Sequence, residues 1–381
     1  MRKGKILQIG CENFGAGGRS VIIYNLTRSL CDDYRIDFLS CGRVKNVAYQ
    51  KEIEKVGGEV KVYIENKKEN KVCREIKRTI ALCKMIKVEK YNIVHINADD
   101  AWEATKSLWI ARHAGVKEVV VHAHTTGTDK KTNIIKKIVL IISKKYANRY
   151  ANKKLACSIE AAAYLFGEKN TSDVEIINNG INAKKYVFNR KKREEMRDNL
   201  GISDKEYAIC SIGRLTSVKN PIFILEIIRE LYNNINNNIR FYWIGEGELK
   251  EKVSKKIEQY DMDEYTFLLG NRKDVNDLLQ AMDVFVLGSL YEGFGIVNLE
   301  AQANGIPGII SDVVPEEAVL NDNFLRVPLE KGKKYWAYCI KRQFGNRTKE
   351  NMVEKIEQKG FDIEKSSIKL KQIYEDLINN R

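Results

Sequence analysis

The sequence predicts an α/β protein built from two doubly wound parallel sheets, and three observations carry that prediction. The chain has 381 residues, roughly twice the usual domain of about 100–200 residues. Short apolar runs alternate with helix-period stretches, the pattern of βαβ units. The alternation restarts once, after an Asn-Asn-Gly turn signal inside the linker Ile-Ile-Asn-Asn-Gly-Ile-Asn at 176–182.

Taken in order, residues 5–10 read as a buried strand. A loop containing Gly15, Gly17 and Gly18 follows, then an apolar-periodic helix over 20–30. Strands at 36–39, 93–96 and 119–122 are separated by helices at 71–90 and 102–114. A long basic helix over 133–147 and a short strand at 155–157 complete the first series. The second series has strands at 208–212, 240–244, 266–269, 284–287 and 308–311. Its helices are expected at 221–232, 248–260, 275–282 and 295–304. The boundary is placed at 182, giving domains 1–182 and 183–381, with a last helix over 362–381 that could pack back on the first domain. Two such sheets facing a central cleft turn their strand carboxyl ends and helix amino ends toward the gap, where ligands of these sheets bind.

Composition narrows the function. The chain is 44% hydrophobic and 30% charged with only 4 prolines, which excludes a disordered or collagen-like protein. It lacks any run of the ~20 apolar residues that span a bilayer and opens without a signal-peptide pattern, so a cytoplasmic protein is expected. The 8 cysteines are scattered, with no Cys-x-x-Cys pair. The net charge of +14 is uneven: residues 1–170 carry +15 and residues 171–381 carry −1. Nucleic acid is not an expected partner, because neither stacking aromatics nor a helix-turn-helix accompanies the charge. An anionic ligand or membrane surface fits better, and Ile and Lys at helical spacing over 133–147 suit an interfacial helix.

Several residues have the chemistry of a site. Gly213-Arg214-Leu215, followed by Lys219-Asn220, sits between a strand and a helix; a guanidinium fork, an ammonium and a helix end suit a diphosphate, though either cation could equally be a solvated loop charge. Glu292-Gly293-Phe294-Gly295 lies at a second strand-to-helix junction. Glu300, eight residues beyond Glu292, falls about 2.2 turns along, where it could accept hydrogen bonds from a vicinal diol; a cap and a surface carboxylate are the plain alternative. His122 and His124 end a first-domain strand; a polar role toward a ligand is weighed against a packed imidazole or a metal ligand and slightly favoured, and a metal is not expected, since no Cys or carboxylate stands at ligand spacing. Asp261-Met262-Asp263 matches a D-x-D metal pattern but falls before a strand rather than after it, and reads as a polar turn.

Together, Gly-Arg-Leu-x-x-x-Lys-Asn at 213–220, Glu-Gly-Phe-Gly-x-x-x-x-Glu at 292–300 and the Gly17-Gly18 loop resemble the retaining GT-B glycosyltransferases of family 4. Stretches such as VHAHTTG, KKLACSIEAAAYLFG and LLQAMDVFVLGSLYEGFG are similar to members that build bacterial capsules and exopolysaccharides, over roughly residues 5–315. The resemblance implies a GT-B fold and transfer of a sugar from a nucleotide diphosphate, here uridine diphosphate, onto a lipid-linked glycan. It implies that Arg214 and Lys219 hold the diphosphate and Glu300 the ribose. Glu292 with Phe294 and Gly295 would take the donor sugar, His124 would face the reacting sugar, and Gly17 and Gly18 would approach the phosphates or acceptor. The base would rest near Asn271 and Arg272. No metal or other cofactor is implied. Two departures concern the acceptor side: Arg19-Ser20 follow the glycine pair where the family has an acid, and Asn182 replaces an Asp. A peripheral enzyme on the inner face of the cell membrane is expected. The rival readings are a sugar-nucleotide epimerase of the same shape, and a silent protein binding sugar or nucleic acid.

Overall fold

Strands buried on both faces need a covering layer on each side, which alternating helices supply. The computed structural model describes residues 2–15, 18–64, 70–125, 127, 134–292 and 294–379. Its strands form two parallel sheets, and the chain divides into two compact units, Met1–Gly180 with Ile363–Arg381, and Ile181–Asp362. The division falls inside the 176–182 linker. The last helix, whose packing the 1–182 and 183–381 boundaries left open, is part of the first unit.

In the first unit the strands are β1 (Gly4–Ile9), β2 (Tyr34–Cys41), β3 (Val60–Tyr63), β4 (Ile93–Ala98), β5 (Glu118–Ala123), β6 (Lys153–Ala156) and β7 (Glu175–Ile176), ordered β3-β2-β1-β4-β5-β6-β7. The helices are α1 (Gly18–Thr27), α2 (Val47–Lys55), α3 (Lys71–Glu89), α4 (Ala101–His113), α5 (Ile134–Tyr150) and α6 (Ile159–Phe166). The second unit has α7 (Arg190–Leu200), α8 (Pro221–Asn234), α9 (Lys250–Gln259), α10 (Val275–Ala281), α11 (Ile296–Asn304), α12 (Gly332–Arg342) and α13 (Met352–Gln358). Its strands, β8 (Tyr207–Ile212), β9 (Ile239–Ile244), β10 (Thr266–Gly270), β11 (Val284–Leu287), β12 (Gly308–Ser311) and β13 (Phe324–Val327), run in the order β10-β9-β8-β11-β12-β13. The chain closes with α14 (Ile363–Asn379) in the first unit.

Several elements that the apolar pattern did not announce are short or polar, and α6 and α12 went unannounced as well although each buries an apolar stripe. β3 and β7 have four and two residues, too few for a run, and α7 is almost entirely charged on its surface. It is held by long-range ion pairs instead, with Arg193 and Arg197 reaching Asp283 at 2.6 and 3.1 Å. In the first unit, α3 to α6 cover one face of the sheet through Leu82, Leu108, Ala147 and Leu165; α1, α2 and α14 cover the other through Leu26, Ile53 and Leu370. Ser367 Oγ of α14 also donates to the Leu26 carbonyl at 2.7 Å.

Strand order reverses beside β1 and β4 in one sheet and beside β8 and β11 in the other. Neighbouring loops diverge at such a point and leave a crevice at the strand carboxyl ends. The loops carrying Gly18, His124, Gly213 to Lys219 and Glu292 leave these strands or their neighbours, whereas Asn271 and Arg272 follow the edge strand β10. No helix among the described residues is long and apolar enough to cross a membrane.

Candidate functional site

In the second unit, the chain leaves β8 through Gly213 (φ +153°) and enters α8 through Asn220, which adopts a left-handed φ of 52° ahead of Pro221. Backbone bonds lock this loop to the one after β9: Gly213 N donates to Ile244 O, Leu215 N to Glu246 O and Leu249 N to Leu215 O, at 2.9, 3.1 and 3.0 Å. The Trp243 indole donates to the Gly213 carbonyl at 2.9 Å. Gly245 has to be glycine, because a Cβ there would collide with that same carbonyl.

This frame presents both cations. Arg214 is exposed and makes no ion pair among the described residues. Lys219 pairs with Glu292, whose same oxygen accepts from Ser289 Oγ at 3.1 Å. One oxygen of Glu292 is therefore engaged, and an ammonium with three donors keeps capacity beyond this pair.

Gly295 caps α11 with φ 68°; a Cβ there would lie 2.5 Å from Asn298 Nδ2 and 3.2 Å from Glu292 Cγ. Only glycine therefore lets the start of α11, with its free N–H groups, lie against Glu292. Asn298 itself is buried, with an Oδ1 that lacks a hydrogen-bond partner among the described residues. Phe294 packs on Phe361 with ring centroids 4.4 Å apart, and Gly293 lies outside the described residues.

Glu300 lies farther along α11. It accepts from the Tyr186 hydroxyl at 2.7 Å, while burial, outweighing that hydrogen bond, pushes its carboxyl up to about 7. Asn271 is exposed just after β10, and Arg272 forms a bidentate pair with Asp274 at 2.8 and 2.6 Å. The structure thus groups Gly213, Lys219, Glu292 and Gly295. Asp261, in left-handed conformation before β10, makes the polar turn that its position implied.

In the first unit, Gly18 starts α1, and a Cβ there would meet nothing within 4 Å, so packing does not demand glycine; Gly17 lies outside the described residues. Arg19 binds Glu12, Asp99 and Glu103, the last two at 3.1 Å. Where the family pattern has an acid, this chain has a cation ringed by three acids, and Thr125 Oγ1 reaches the same Asp99 at 3.2 Å.

His124 follows β5 and is held by Asn97 of β4. The Asn97 amide nitrogen donates to Gln8 Oε1 and Ile9 O, both at 3.0 Å, so its oxygen accepts from His124 Nε2 at 2.9 Å. The proton therefore sits on Nε2. Burial first, then repulsion from His122, Arg19 and His95, holds His124 well below the usual histidine range, so it works as a neutral imidazole.

Behind it runs a buried chain of donors. Gln8 Nε2 donates to Tyr374 OH at 2.8 Å, which leaves the tyrosine proton for His95 Nδ1 at 2.5 Å; His95 Nε2 then faces His122 Nδ1 at 3.3 Å. Tyr374→Phe removes two of these bonds and strands a buried imidazole nitrogen. It is expected to cost about 1–3 kcal/mol, read as a lowered unfolding temperature. An unchanged transition would remove the network from the stability of the first unit. Nothing local marks Tyr374, Asn97, Tyr186 or Ser289 as site residues, since each is recruited by contact with a distant element.

Comparison with known proteins covers the stretches of chain that hold these residues. One family model, described as Glycosyltransferase Family 4, matches residues 16–185, and another, Glycosyl transferases group 1, matches residues 192–335. The chain is 27% identical to EpsF of Bacillus subtilis, described as a glycosyltransferase, over 94% of this chain and 93% of that protein. It is 28% identical to the UDP-Gal:alpha-D-GlcNAc-diphosphoundecaprenol alpha-1,3-galactosyltransferase of Escherichia coli, over 81% of each chain. Among solved structures, Anabaena HepE in complex with UDP and glucose superposes with a TM-score of 0.77 at 15% identity, covering 98% of this chain and 99% of that one.

Proposed function

The chain belongs to the family 4 glycosyltransferases, and from that premise we propose that it transfers a sugar, with retention, from a uridine diphosphate donor to a lipid-linked glycan of cell-surface polysaccharide. The observation that carries this reading is the meeting of the 213–220 and 289–296 loops at the switch point of the second sheet. A lysine, a carboxylate, a glycine cap and a helix amino terminus are brought together there.

Arg214, Lys219 and the start of α11 take the charge that grows on the leaving diphosphate, and no metal is assigned a part. The bond from the anomeric carbon to the β-phosphate oxygen breaks, and its electron pair leaves with the phosphate. The acceptor hydroxyl attacks the oxocarbenium-like carbon from the same face and passes its proton to the departing phosphate oxygen. Glu292, with the backbone of Phe294 and Gly295, orients the donor sugar, and neutral His124 contacts the reacting sugar. Glu300 accepts the ribose hydroxyls, and the base lies near Asn271 and Arg272. Gly17 and Gly18 admit the phosphates or the acceptor. The enzyme works at the cytoplasmic face of the membrane, drawn there by its basic first half.

Incubation with a UDP-sugar and a polyprenyl-diphosphate-linked sugar tests this reading. It is expected to extend the acceptor with the donor's anomeric configuration, seen by NMR. Conversion of the donor without acceptor would establish an epimerase instead, and nucleotide binding without either product would establish a silent binder.

Glu300 adds a pH signature. A carboxyl near 7 is protonated below that pH and ionised above it, and ribose hydroxyls donate best to the ionised form. UDP-glucose affinity is therefore expected to rise as pH increases through about 7, and Glu300→Gln to flatten the rise. Calorimetry at several pH values measures it, and an equally steep rise in the variant would release Glu300 from the ribose.

A further inference from the structure

In a soluble α/β unit, the helices turn charge outward; here, on one side of the first unit, they turn out isoleucine, valine and tryptophan. On α3 the outward residues include Val72, Ile76 and Ile80, spaced four apart along one stripe and 54–68% exposed. On α4 they are Trp102 and Trp109, two turns apart and 47% and 43% exposed. On α5 five isoleucines between 134 and 142 are 51–76% exposed, while only Ser143 and Ala147 of that helix are buried. These helices lie side by side over the same face of the sheet, so their outer stripes form one surface. The opposite layer, α1, α2 and α14, exposes only Val47 and Ile368 among its described large hydrophobic residues.

The charge on this surface is mostly positive, with Glu75 of α3 paired to Lys106 of α4 at 3.3 Å. α5 carries five cations and no acid, and α3 carries six cations and two acids. Lys106 of α4 stands 5.8 Å over the Trp102 ring. Beside Ile141, a groove of about 740 Å³ between α5 and α6 is lined by Lys144, Lys145, Arg149 and Lys169, against Glu168.

We infer that the α3–α4–α5 face docks on a bilayer of anionic phospholipid. The isoleucines and tryptophans enter the interface, the lysines reach the headgroups, and the α5–α6 groove takes one phosphate. The inference deepens the reading of a membrane-side glycosyltransferase and rests on it. Charge selects the occupant: a protein-binding apolar patch is depleted of lysine at its centre, whereas an interfacial helix interleaves lysine with isoleucine and places tryptophan at headgroup depth.

The test is flotation of the full chain with phosphatidylcholine vesicles, with and without phosphatidylglycerol. Wild type is expected on the anionic vesicles, and to come off as salt rises. Ile138→Ser/Ile141→Ser/Ile142→Ser is expected to weaken binding by more than tenfold at low salt. Lys136→Ala/Lys137→Ala is expected to weaken it roughly 30-fold, and Ile368→Ser, on the opposite layer, to leave it unchanged. All these positions are exposed, and UDP affinity of each variant reports its folding. Wild-type binding by the triple serine variant, or no binding of wild type to either vesicle, overturns the inference. So does a wild-type dimer in sedimentation that the triple variant converts to monomer, since a second copy would then own the face. Failure of sugar transfer with vesicle binding intact would instead count against the catalytic reading alone.

Discussion

Lys219→Ala is expected to weaken UDP binding by about 1.5–3 kcal/mol, roughly 10- to 150-fold, the scale of a hydrogen bond to a charged group. The structure makes this more than the loss of one cation. Lys219 neutralises Glu292 in a half-buried setting, with side chains 18% and 13% exposed, so its removal leaves a carboxylate facing the incoming diphosphate. Its methylenes also pack where a Gly213 Cβ would stand, at 3.2 Å. Lys219→Met keeps that packing and isolates the charge. Arg214→Ala, at an exposed residue with no ion pair among the described residues, is the matched control: it should lose comparable affinity without lowering the unfolding temperature. Calorimetric titration with UDP measures all three, and unchanged affinity for Lys219→Met would take Lys219 out of the donor site.

His124→Ala is expected to lower kcat by about 10²-fold, the scale of a lost polar contact made to a reacting group, and to leave UDP affinity nearly unaltered. The split follows from geometry. His124 belongs to the first unit, with its proton on Nε2 tied to Asn97, whereas the proposed nucleotide contacts lie in the second unit. Because burial keeps the imidazole neutral, the kcat profile is not expected to show a histidine ionisation between about pH 6 and 8. Asn97→Ala should reproduce part of the loss by freeing the tautomer. Full turnover in His124→Ala would move the role to another group, with His122 the first to try, since its Nε2 is buried without a partner among the described residues.

Much of this protein was determined by sequence over short distances. Apolar runs of four to six residues could only be strands with both faces covered, and the helices between them made the sheets parallel. Glycines and cations at strand-to-helix junctions follow from the same order, which is why Arg214, Lys219, Glu292 and Glu300 are legible as candidates in the sequence. The tertiary structure alone decided what those side chains meet. Lys219 finds Glu292 73 residues away and Glu300 finds Tyr186 across 114. Tyr374 closes on His95 across 279, carrying the last helix into the first unit. The same holds for α3, α4 and α5: their amphipathic periods predict helices, but only their packing on one side of the sheet joins three stripes into one apolar, basic surface. Periodicity is a property of neighbouring residues, whereas a partner is chosen by strand register and layer order, which no local stretch of sequence contains.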